Sequence, residues 1–562
     1  MKYKINQNGD NILESVYNNR NINDDFIDRI LYSQTWEEPN TYKNMEKGYE
    51  LLMNTIEKGG DIGVIVDPDV DGYASAATEF SFIYDDLKYD NIWYIIKDKS
   101  KKSHGIDREV IEKVKENKFD LIILPDGGSN DFKYQNEILN LGCKVLIIDH
   151  HIYDTERKTD AIIINNQDNN VENTYLSGCG VTYKFCFYCA EREGIDLGYK
   201  YLDLVALSLI SDVCDMTSLE NRYLFNLGSQ VSNVSNRLMK SFIKDLKIKN
   251  KISIESYGFG VAPLINSIIR VGEGSEKESL FESLINSNEE VNYRYRSKDI
   301  TQSIQDSILR IGRRLKNKQK TMVEKAIKEG LNVLSNDKDK VLIIDGKSID
   351  SEIRGLLCTK LMSEHKKPVM ILSGDEIMRG SARGINSINF KDLCERSNLF
   401  NYCEGHIGAF GVSIQLNNIG KFIQFVNKEL LGVDLDNFTE VDFVYEGYMP
   451  LDDVLVLGTD LEDLWCNQIK RPKILIKNIK INSSNIVKKG INLSFKINNV
   501  LYKRDFCSTA FYQDLICYDN NENIDKDLLI DIICEVKTFE NGISYINIVE
   551  FESSIDIQTP LV

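Results

Sequence analysis

The chain has few of the residues that mark several common classes of protein. Only 8 of its 562 residues are proline and five are histidine. No proline-rich or Gly/Ser-rich linker interrupts the chain, which predicts closely joined domains. No window approaches the roughly 18–20 apolar residues of a membrane span, and the first residues lack the apolar stretch of a secretory signal. We therefore expect a soluble, cytoplasmic protein with no membrane partner.

Cysteines are absent from the first 142 residues, and the 12 that follow show no dense spacing. Cys186 and Cys189 form a C-x-x-C pair without the second pair that a zinc site needs. This pattern favours reduced core thiols of a cytosolic protein over a disulfide framework.

The chain also has fewer basic than acidic side chains. The chain has 68 basic and 86 acidic side chains, for a formal net charge of −18. This balance excludes a protein that coats nucleic acid by bulk electrostatics, but it leaves open an enzyme with a local basic groove. The hydrophobic content of 42% supports several cores. At about 150 residues per domain, the length predicts three or four domains.

Short apolar runs alternate with helical stretches between residues 61 and 166, which predicts a parallel α/β sheet. A second α/β pattern begins at residue 341, and the region beyond about 435 alternates like a small β-barrel. The breaker-poor stretch 276–329 predicts a long connector helix. The predicted division is an N-terminal helical segment (1–50), a catalytic domain (51–250), a connector with a long helix (251–335), a second α/β domain (336–435) and a β-rich domain (436–562).

Three aspartates follow the first predicted strand at alternate positions, namely Asp67, Asp69 and Asp71. Alternate side chains of an extended segment project to one side, and clustered carboxylates repel one another unless a cation neutralises them. An EF-hand shares the D-x-D-x-D-G spacing. Its twelfth position would be Thr78 instead of a glutamate, and a strand precedes the segment where an EF-hand needs a helix. The remaining alternative for this segment alone is a solvated acidic turn.

Two further predicted strands end in residues that can bind metal. One ends in Asp126 and the other in Asp149, His150 and His151. Carboxyl ends of parallel strands share one sheet edge, so these side chains should converge. Asp212 lies in a highly apolar stretch, where an unpaired carboxylate is costly. This set favours Mn²⁺ or Mg²⁺, and the number of carboxylates predicts two ions that serve phosphoester hydrolysis.

In this order, these motifs resemble the DHH phosphoesterase superfamily. Residues 203–228 are similar to the fourth motif of bacterial RecJ-type nucleases, and residues 258–273 resemble their P-x-x-N-x-x-x-R segment. Residues 378–384 and 404–414 resemble the two signatures of the associated DHHA1 domain. The C-terminal region resembles the OB-fold that these nucleases carry. The resemblance extends from about residue 25 to the end of the chain.

The resemblance implies an α/β fold with a DHH domain, a long helix, a DHHA1 domain and a C-terminal OB-fold. It implies an exonuclease specific for single-stranded DNA that degrades 5′ to 3′, releases mononucleotides and serves repair, recombination or replication. Single-stranded DNA is then the partner, with a single-strand-binding protein or a helicase as further candidates. We expect a monomer.

The resemblance also assigns roles by position. The implied metal-site residues, with Asp126 bridging two ions, are Asp69, Asp71, Asp126, His150 and Asp212, together with Asp149 and Asp67. The implied catalytic group is His151, facing the scissile phosphate, with Asp126 and Asp149. The predicted contacts to nucleic acid or phosphate are Asn266, Arg270, Ser381, Arg383, His406 and His104.

The chain departs from the family pattern at three places. Glu404 and Phe410 replace a glycine and an alanine of the DHHA1 signature, and His104 stands where an aromatic residue is common. These changes bear on substrate preference more than on chemistry. One alternative is a phosphodiesterase for short oligonucleotides or cyclic dinucleotides, which would not need a strand-tracking barrel. The other is a non-catalytic single-strand-binding scaffold, which would be expected to lack metal ligands.

Overall fold

The computed structural model describes residues 1–97, 105–168, 170–295, 298–385, 388–433, 435, 439–489, 492–504, 527–539 and 543–556. They form two compact units. The first unit contains residues 1–266, 277–309 and 439–562, and the second contains 267–276 and 310–438. The boundaries of the five predicted domains stay predictions. No helix in the described part of the chain is both long and apolar enough to cross a bilayer.

The N-terminal segment packs with the C-terminal region of the first unit. It contains β1 (Tyr3–Ile5), α1 (Ile12–Arg20) and α2 (Asp24–Leu31). Strand β1 pairs in parallel with β15 (Thr439–Val441). Ile12 and Ile30 belong to the same hydrophobic core as Leu457 and Ile532. The first thirty residues therefore complete a core whose other half lies more than 400 residues further along the chain.

A five-stranded parallel sheet forms the centre of the predicted catalytic domain and confirms the predicted α/β class. Its strands are β2 (Ile62–Val66), β3 (Ile92–Ile96), β4 (Leu121–Pro125), β5 (Lys144–Asp149) and β6 (Ile162–Asn165). Their spatial order is β3-β2-β4-β5-β6, and every neighbouring pair is parallel. Helices around this sheet are α3 (Met45–Glu57), α4 (Val70–Ser81), α5 (Arg108–Asn117), α6 (Phe132–Asn140) and α7 (Gly178–Glu193). Strands β2 and β4 are buried along their whole length, which explains their continuous apolar runs.

A helical region follows the sheet. It contains α8 (Leu202–Ser211), α9 (Leu219–Gly228), α10 (Arg237–Leu246), a π-helical segment (Ser256–Val261), α11 (Ala262–Val271) and α12 (Gly274–Leu284). The prediction of one connector helix within 276–329 is only partly right, because a hairpin of β7 (Glu290–Tyr295) and β8 (Lys298–Ser303) precedes the long helix α13 (Ile304–Lys328). Val291, Tyr293 and Tyr295 alternate with polar residues, a strand signal that the lack of glycine and proline concealed.

The second unit holds a six-stranded mixed sheet in the order β13-β14-β12-β11-β10-β9. Its strands are β9 (Asn332–Val333), β10 (Leu342–Asp345), β11 (Val369–Ser373), β12 (Ile377–Arg383), β13 (Phe400–His406) and β14 (Ala409–Gln415). Its helices are α14 (Arg354–His365), α15 (Phe390–Arg396) and α16 (Ile419–Glu429). Only β10 and β11 pair in parallel among its described strands.

The C-terminal region is rich in strands, as predicted. It contains β16 (Phe443–Glu446), α17 (Asp452–Thr459), β17 (Ile474–Asn482), β18 (Val487–Lys489), β19 (Asn492–Ile497), β20 (Val500–Arg504), β21 (Asp527–Thr538) and β22 (Ser544–Asp556). The strands form one sheet in the order β16-β17-β21-β22-β20-β19-β18. The more specific assignment to an OB-fold stays a prediction.

Candidate metal centre

The parallel sheet brings the predicted strand-end residues to one edge. Asp67 follows β2, Asp126 follows β4, and β5 ends at Asp149 with His150 directly after it. All three strands run the same way, so their carboxyl ends meet there. Asp71 lies in the first turn of α4, the helix that follows β2.

Asp126 is held in an unusual conformation. Its φ angle is +66°, in the left-handed region that non-glycine residues rarely adopt, and it is only 2% exposed. Its Oδ1 atom is buried and has no hydrogen-bond partner among the described residues. A Cβ atom added to Gly178 would lie 2.4 Å from this oxygen, so only glycine lets α7 approach so closely. Burial, then the charges of Asp71 and Asp69, raise the pKa of Asp126 well above its usual range.

His150 connects the carboxylates. Its Nε2 atom lies 3.2 Å from Oδ1 of Asp126 and 3.8 Å from Oδ2 of both Asp71 and Asp212. Two sets of three side chains offer donor atoms within 4.8 Å of one another, and His150 belongs to both. One set adds Asp126 and His151, and the other adds Asp71 and Asp212. The arrangement suits cations that accept oxygen and imidazole ligands.

Asp71 is fixed by the start of α7. Its Oδ2 atom accepts a hydrogen bond from the Gly178 amide at 2.8 Å, and its Oδ1 atom accepts one from the Cys179 amide at 2.9 Å. The Ser208 hydroxyl donates to the same Oδ1 at 2.5 Å. Helix amides favour negative charge, yet burial raises the pKa of Asp71 to about 6; His150 opposes the rise and Asp212 adds to it. The negative charge of the carboxylates in this site therefore exceeds the positive charge that the neighbouring side chains supply.

Asp149 orients the two histidines. Its Oδ1 atom lies 2.8 Å from Nδ1 of His151 and accepts from the amides of His150 at 2.7 Å and His151 at 3.1 Å. The Ser129 amide donates to its other oxygen at 3.2 Å. Burial raises the pKa of Asp149, but the charge and hydrogen bond of His151, the charge of His150 and the hydrogen bond from Ser129 together bring the pKa below its usual range. Burial lowers the pKa of His151, while Asp149 raises it to about 9.

The other two aspartates of the first motif have different partners. Asp67 Oδ1 lies 3.2 Å from the buried Lys97 ammonium and accepts from the Gly105 amide at 3.0 Å. Asp69 caps α4 by accepting from the Gly72 amide at 2.9 Å. Neither belongs to the two sets around His150 in the described part of the chain. Their roles as ligands, like that of Asp149, stay predictions.

The predicted phosphate contacts lie on other elements. Asn266 belongs to the first unit; the second unit contains Arg270, Ser381, Arg383 and the backbone of His406. Asn266 and Arg270 are half-buried on α11. Ser381 and Arg383 lie on β12, where burial lowers the pKa of Arg383. His406 ends β13, and His104 lies outside the described residues.

The two described departures from the family pattern differ in environment. Phe410 is 3% exposed and packs against Phe390, with ring centroids 5.8 Å apart. Its extra bulk fills the core of the second unit. Glu404 is exposed on β13, opposite Gly411.

Sequence reasoning missed several residues that position the ligands. Lys97, Gly178 and Ser208 hold or approach the aspartates, and Gln167 donates to the His150 carbonyl at 3.1 Å. The sequence Ser-Gly-Cys-Gly at 177–180, which opens the apolar helix α7, is the one usable signal. Such a helix start presents amides to anions.

Comparison with known proteins agrees with this geometry. Residues 61–209 match the model of the DHH family, N-terminal domain. The chain is 31% identical over 520 residues to YorK of Bacillus subtilis (strain 168), a prophage-derived protein provisionally named a single-strand DNA-specific exonuclease, and the match covers 88% of each chain. It is 25% identical over 413 residues to the single-stranded-DNA-specific exonuclease RecJ of Escherichia coli (strain K12), covering 68% of each.

Solved structures show the same fold. RecJ from Thermus thermophilus in complex with Mn²⁺ superposes with a TM-score of 0.67 at 16% identity, covering 96% of this chain and 76% of that one. The complex of RecJ from the same organism with Mg²⁺ gives a TM-score of 0.61 at 16% identity, covering 96% and 74%.

Proposed function

This chain belongs to the RecJ-like exonucleases of the DHH superfamily, and we propose that it hydrolyses single-stranded DNA from an end in a metal-dependent reaction. The observation that carries the proposal is the buried cluster at the strand ends. There, Asp71, Asp126 and Asp212 surround a single imidazole, His150, and one oxygen of Asp126 is buried without a hydrogen-bond partner among the described residues. The names of the relatives supply the substrate class.

The residues fit Mn²⁺ or Mg²⁺. Asp126 and His150 offer donor atoms with His151 on one side, and Asp71 and Asp212 offer them with His150 on the other. We propose that these residues would hold two ions, that Asp126 would serve both, that Asp69 and Asp67 would be further ligands, and that Asp149 would bind or orient the ligand set. Such ions, when bound, lower the pKa of a water molecule and neutralise charge on a phosphate. The buried Oδ1 atom of Asp126 supports this assignment, because it lies 3.2 Å from His150 Nε2 but makes no hydrogen bond to the described residues, and a poorly compensated buried carboxylate is costly.

The two adjacent histidines have different proposed roles. Asp149 holds Nδ1 of His151 at 2.8 Å, so the other ring nitrogen is left for the phosphate. The His151 side chain is 53% exposed, whereas the His150 side chain is 12% exposed. We propose that His151 donates a hydrogen bond to a phosphate oxygen and stabilises charge that develops there during hydrolysis.

The finer features of the activity are also proposals. The resemblance alone supplies the 5′→3′ direction, the release of mononucleotides and the roles in repair, recombination or replication. Ser381 and Arg383 would hold a terminal phosphate, and Asn266, Arg270 and His406 would contact the strand. The C-terminal region, as an OB-fold, would guide the strand. A monomer that works with a single-strand-binding protein or a helicase is the proposed assembly.

The test uses single-stranded DNA labelled at either end, with matched duplex, Mn²⁺ or Mg²⁺, and the full chain. Asp126→Asn removes the central ligand, and Asp160→Asn, at an exposed aspartate of the same unit, is its control. We expect mononucleotides from the 5′ end of single strands, with the control active and Asp126→Asn inactive. If long strands stay intact while dinucleotides or cyclic dinucleotides are cleaved, the substrate is a short oligonucleotide or a cyclic dinucleotide instead of long single-stranded DNA. Binding of single strands without cleavage of any of these substrates would favour the scaffold.

A further inference from the structure

A cavity of about 380 Å³ lies next to Asp212 in the first unit. Ser211 and Val213, the two neighbours of Asp212 in the chain, both line it. The π-helical segment Ser256–Val261 and the start of α11 also line it, through Phe259 and Pro263. The cavity therefore adjoins the metal centre through a single predicted ligand.

Val213 is strained at this position. Its φ angle is +58°, and a β-branched residue in the left-handed region is a true outlier. It follows the carboxyl end of α8, where glycine or asparagine would adopt this conformation more easily. Val213 is nevertheless 50% exposed, and it lines the cavity. Strain of this kind clusters at functional sites, which favours a functional role for this position.

Phe259 faces the same cavity and is 76% exposed. It lies in a π-helical segment, a distortion that is frequent at functional sites. Gly258 and Gly260 flank it, so the adjacent positions carry no side chain that could cover its ring. An exposed aromatic ring of this kind offers a stacking face.

The polar groups of the cavity define the class of ligand. Arg471 is bound to Glu462 by two contacts of 2.6 and 2.7 Å and lies 3.4 Å from Glu255, so its charge is already compensated. A phosphate would gain little there. Asn266 and Asn467 add neutral amides, which both donate and accept hydrogen bonds. Apolar walls with neutral amides suit a planar, uncharged group with a polar edge, which describes a nucleobase.

We propose that this cavity receives one unpaired nucleobase of the strand, stacked on Phe259 and bordered by Val213, with Asn266 and Asn467 at its edge. This inference rests on the proposed function and adds a subsite to it. A base that is stacked and paired in a duplex must leave its partner to enter the cavity. The subsite thus selects single strands by demanding a free base close to the scissile phosphate.

The test combines a base deletion with a ring deletion. A series of single-stranded oligonucleotides, each with one abasic residue at a successive position, is cleaved by the native chain, Phe259→Ala, Phe259→Tyr and Tyr32→Ala. Tyr32 is a 74% exposed aromatic residue outside the cavity and serves as the control. Initial rates give kcat and KM, and thermal unfolding checks that each variant folds.

We expect one abasic position to raise KM of the native chain about tenfold, the scale of one base–aromatic stack. Phe259→Ala should raise KM for the intact strand by a similar factor. For this variant, an abasic residue at the sensitive position should raise KM no further. Phe259→Tyr should restore the native pattern, and Tyr32→Ala should keep it. A different outcome is that the native chain cleaves single strands while the increases in KM caused by the abasic residue and by Phe259→Ala multiply in the combined experiment. In that case the cavity is not a base subsite and the proposed function stands. If the native chain cleaves no single strand, the proposed function fails and takes this subsite with it.

Discussion

Two clusters of buried charge in the first unit have opposite balances. In one, the Lys184 ammonium lies 2.5 Å from Glu220 Oε1, which also accepts from the Glu37 amide, while Oε2 accepts from Asn173 at 2.9 Å. The Trp36 ring lies 3.9 Å from the same ammonium. Every charge there has a counterpart. In the metal centre, three carboxylates share His150, and one oxygen of Asp126 has no hydrogen-bond partner in the described part of the chain.

The difference separates structural charge from functional charge. The Lys184 cluster ties the segment around Glu37 to α7 and α9 and needs nothing from outside. At the edge of the metal centre, Asp67 also has a buried cation beside it, Lys97. The remaining carboxylates form a site that is complete only with added positive charge. A carboxylate cluster at strand ends is thus informative when the cations that surround it are counted as well.

Replacement of Asp126 should give the largest effect. Asp126→Asn keeps the shape but removes the charge that both proposed ions share, so hydrolysis should fall by roughly 10³-fold or more. The metal-free variant should be no less stable than the native chain, because burial already disfavours the ionised form of Asp126 and asparagine carries no charge to bury. Initial rates with Mn²⁺ and thermal unfolding in chelator measure the two effects. An activity of Asp126→Asn within tenfold of that of the native chain would contradict the assignment of Asp126 as a metal ligand.

Replacement of Glu220 should have the opposite signature. Glu220→Ala leaves the buried Lys184 without its counter-charge, which should cost about 3–5 kcal/mol of unfolding free energy. The rate per folded molecule should stay near the native value. Denaturant unfolding measures the loss, and Glu191→Ala, at an exposed position of α7, should change stability by no more than about 0.5 kcal/mol. A stability loss equal to that control would show that balance of charge does not distinguish the clusters.

Mn²⁺ should stabilise the folded chain, and the size of this stabilisation should depend on pH. At 100 times its Kd, an ion that binds only the folded state adds about 2.7 kcal/mol. Burial raises the pKa of Asp71 to about 6, above an unfolded value of about 3.9. In the metal-free chain this group therefore stabilises the fold below about pH 3.9 and loses that contribution as pH rises through about 6.

Mn²⁺ requires the ionised form, so its stabilisation should grow over the same window. Thermal unfolding with and without Mn²⁺ at pH 5.5 and 7.5 measures this, and the shift should be larger at pH 7.5. The Asp126→Asn variant should lose most of the shift at both values. An Mn²⁺ shift that is independent of pH would contradict the link to Asp71.

Asp149→Asn should give the smallest change. Asp149 positions His151 through a contact of 2.8 Å and also accepts from two backbone amides, so the loss should resemble that of an orienting partner, about 10–100-fold in rate. Mn²⁺ binding should survive, in contrast to Asp126→Asn. The pH–rate profile should shift as well, because the raised pKa of His151 depends on this carboxylate. Loss of Mn²⁺ binding would make Asp149 a ligand in its own right.

The sequence predicted the parts of the site that follow from strand direction. Asp126 and His150 could be placed together because each follows an apolar run and parallel strands share an edge. Asp212 could be included because a carboxylate in an apolar stretch needs a partner. The parallel sheet and the strand-rich C-terminal region follow from the period of apolar residues.

Other features depend on contacts that no local pattern encodes. Lys97 pairs with an aspartate thirty positions earlier, and Ser208 reaches Asp71 from α8 because the two helices pack together. The direction of the Phe410 side chain, into the core, depends on the register between β13 and β14. The hairpin before α13 was missed because a polar, breaker-free stretch satisfies both a helix and two exposed strands.

A count of bound Mn²⁺ tests the central claim most directly. Metal-free native chain, Asp126→Asn and Glu220→Ala are titrated at pH 7.5, with the free ion followed by electron paramagnetic resonance. The account predicts two ions per native chain, two per folded Glu220→Ala chain and a large loss of binding in Asp126→Asn. A native chain that binds no Mn²⁺, or an Asp126→Asn variant that binds it as the native chain does, would contradict the account.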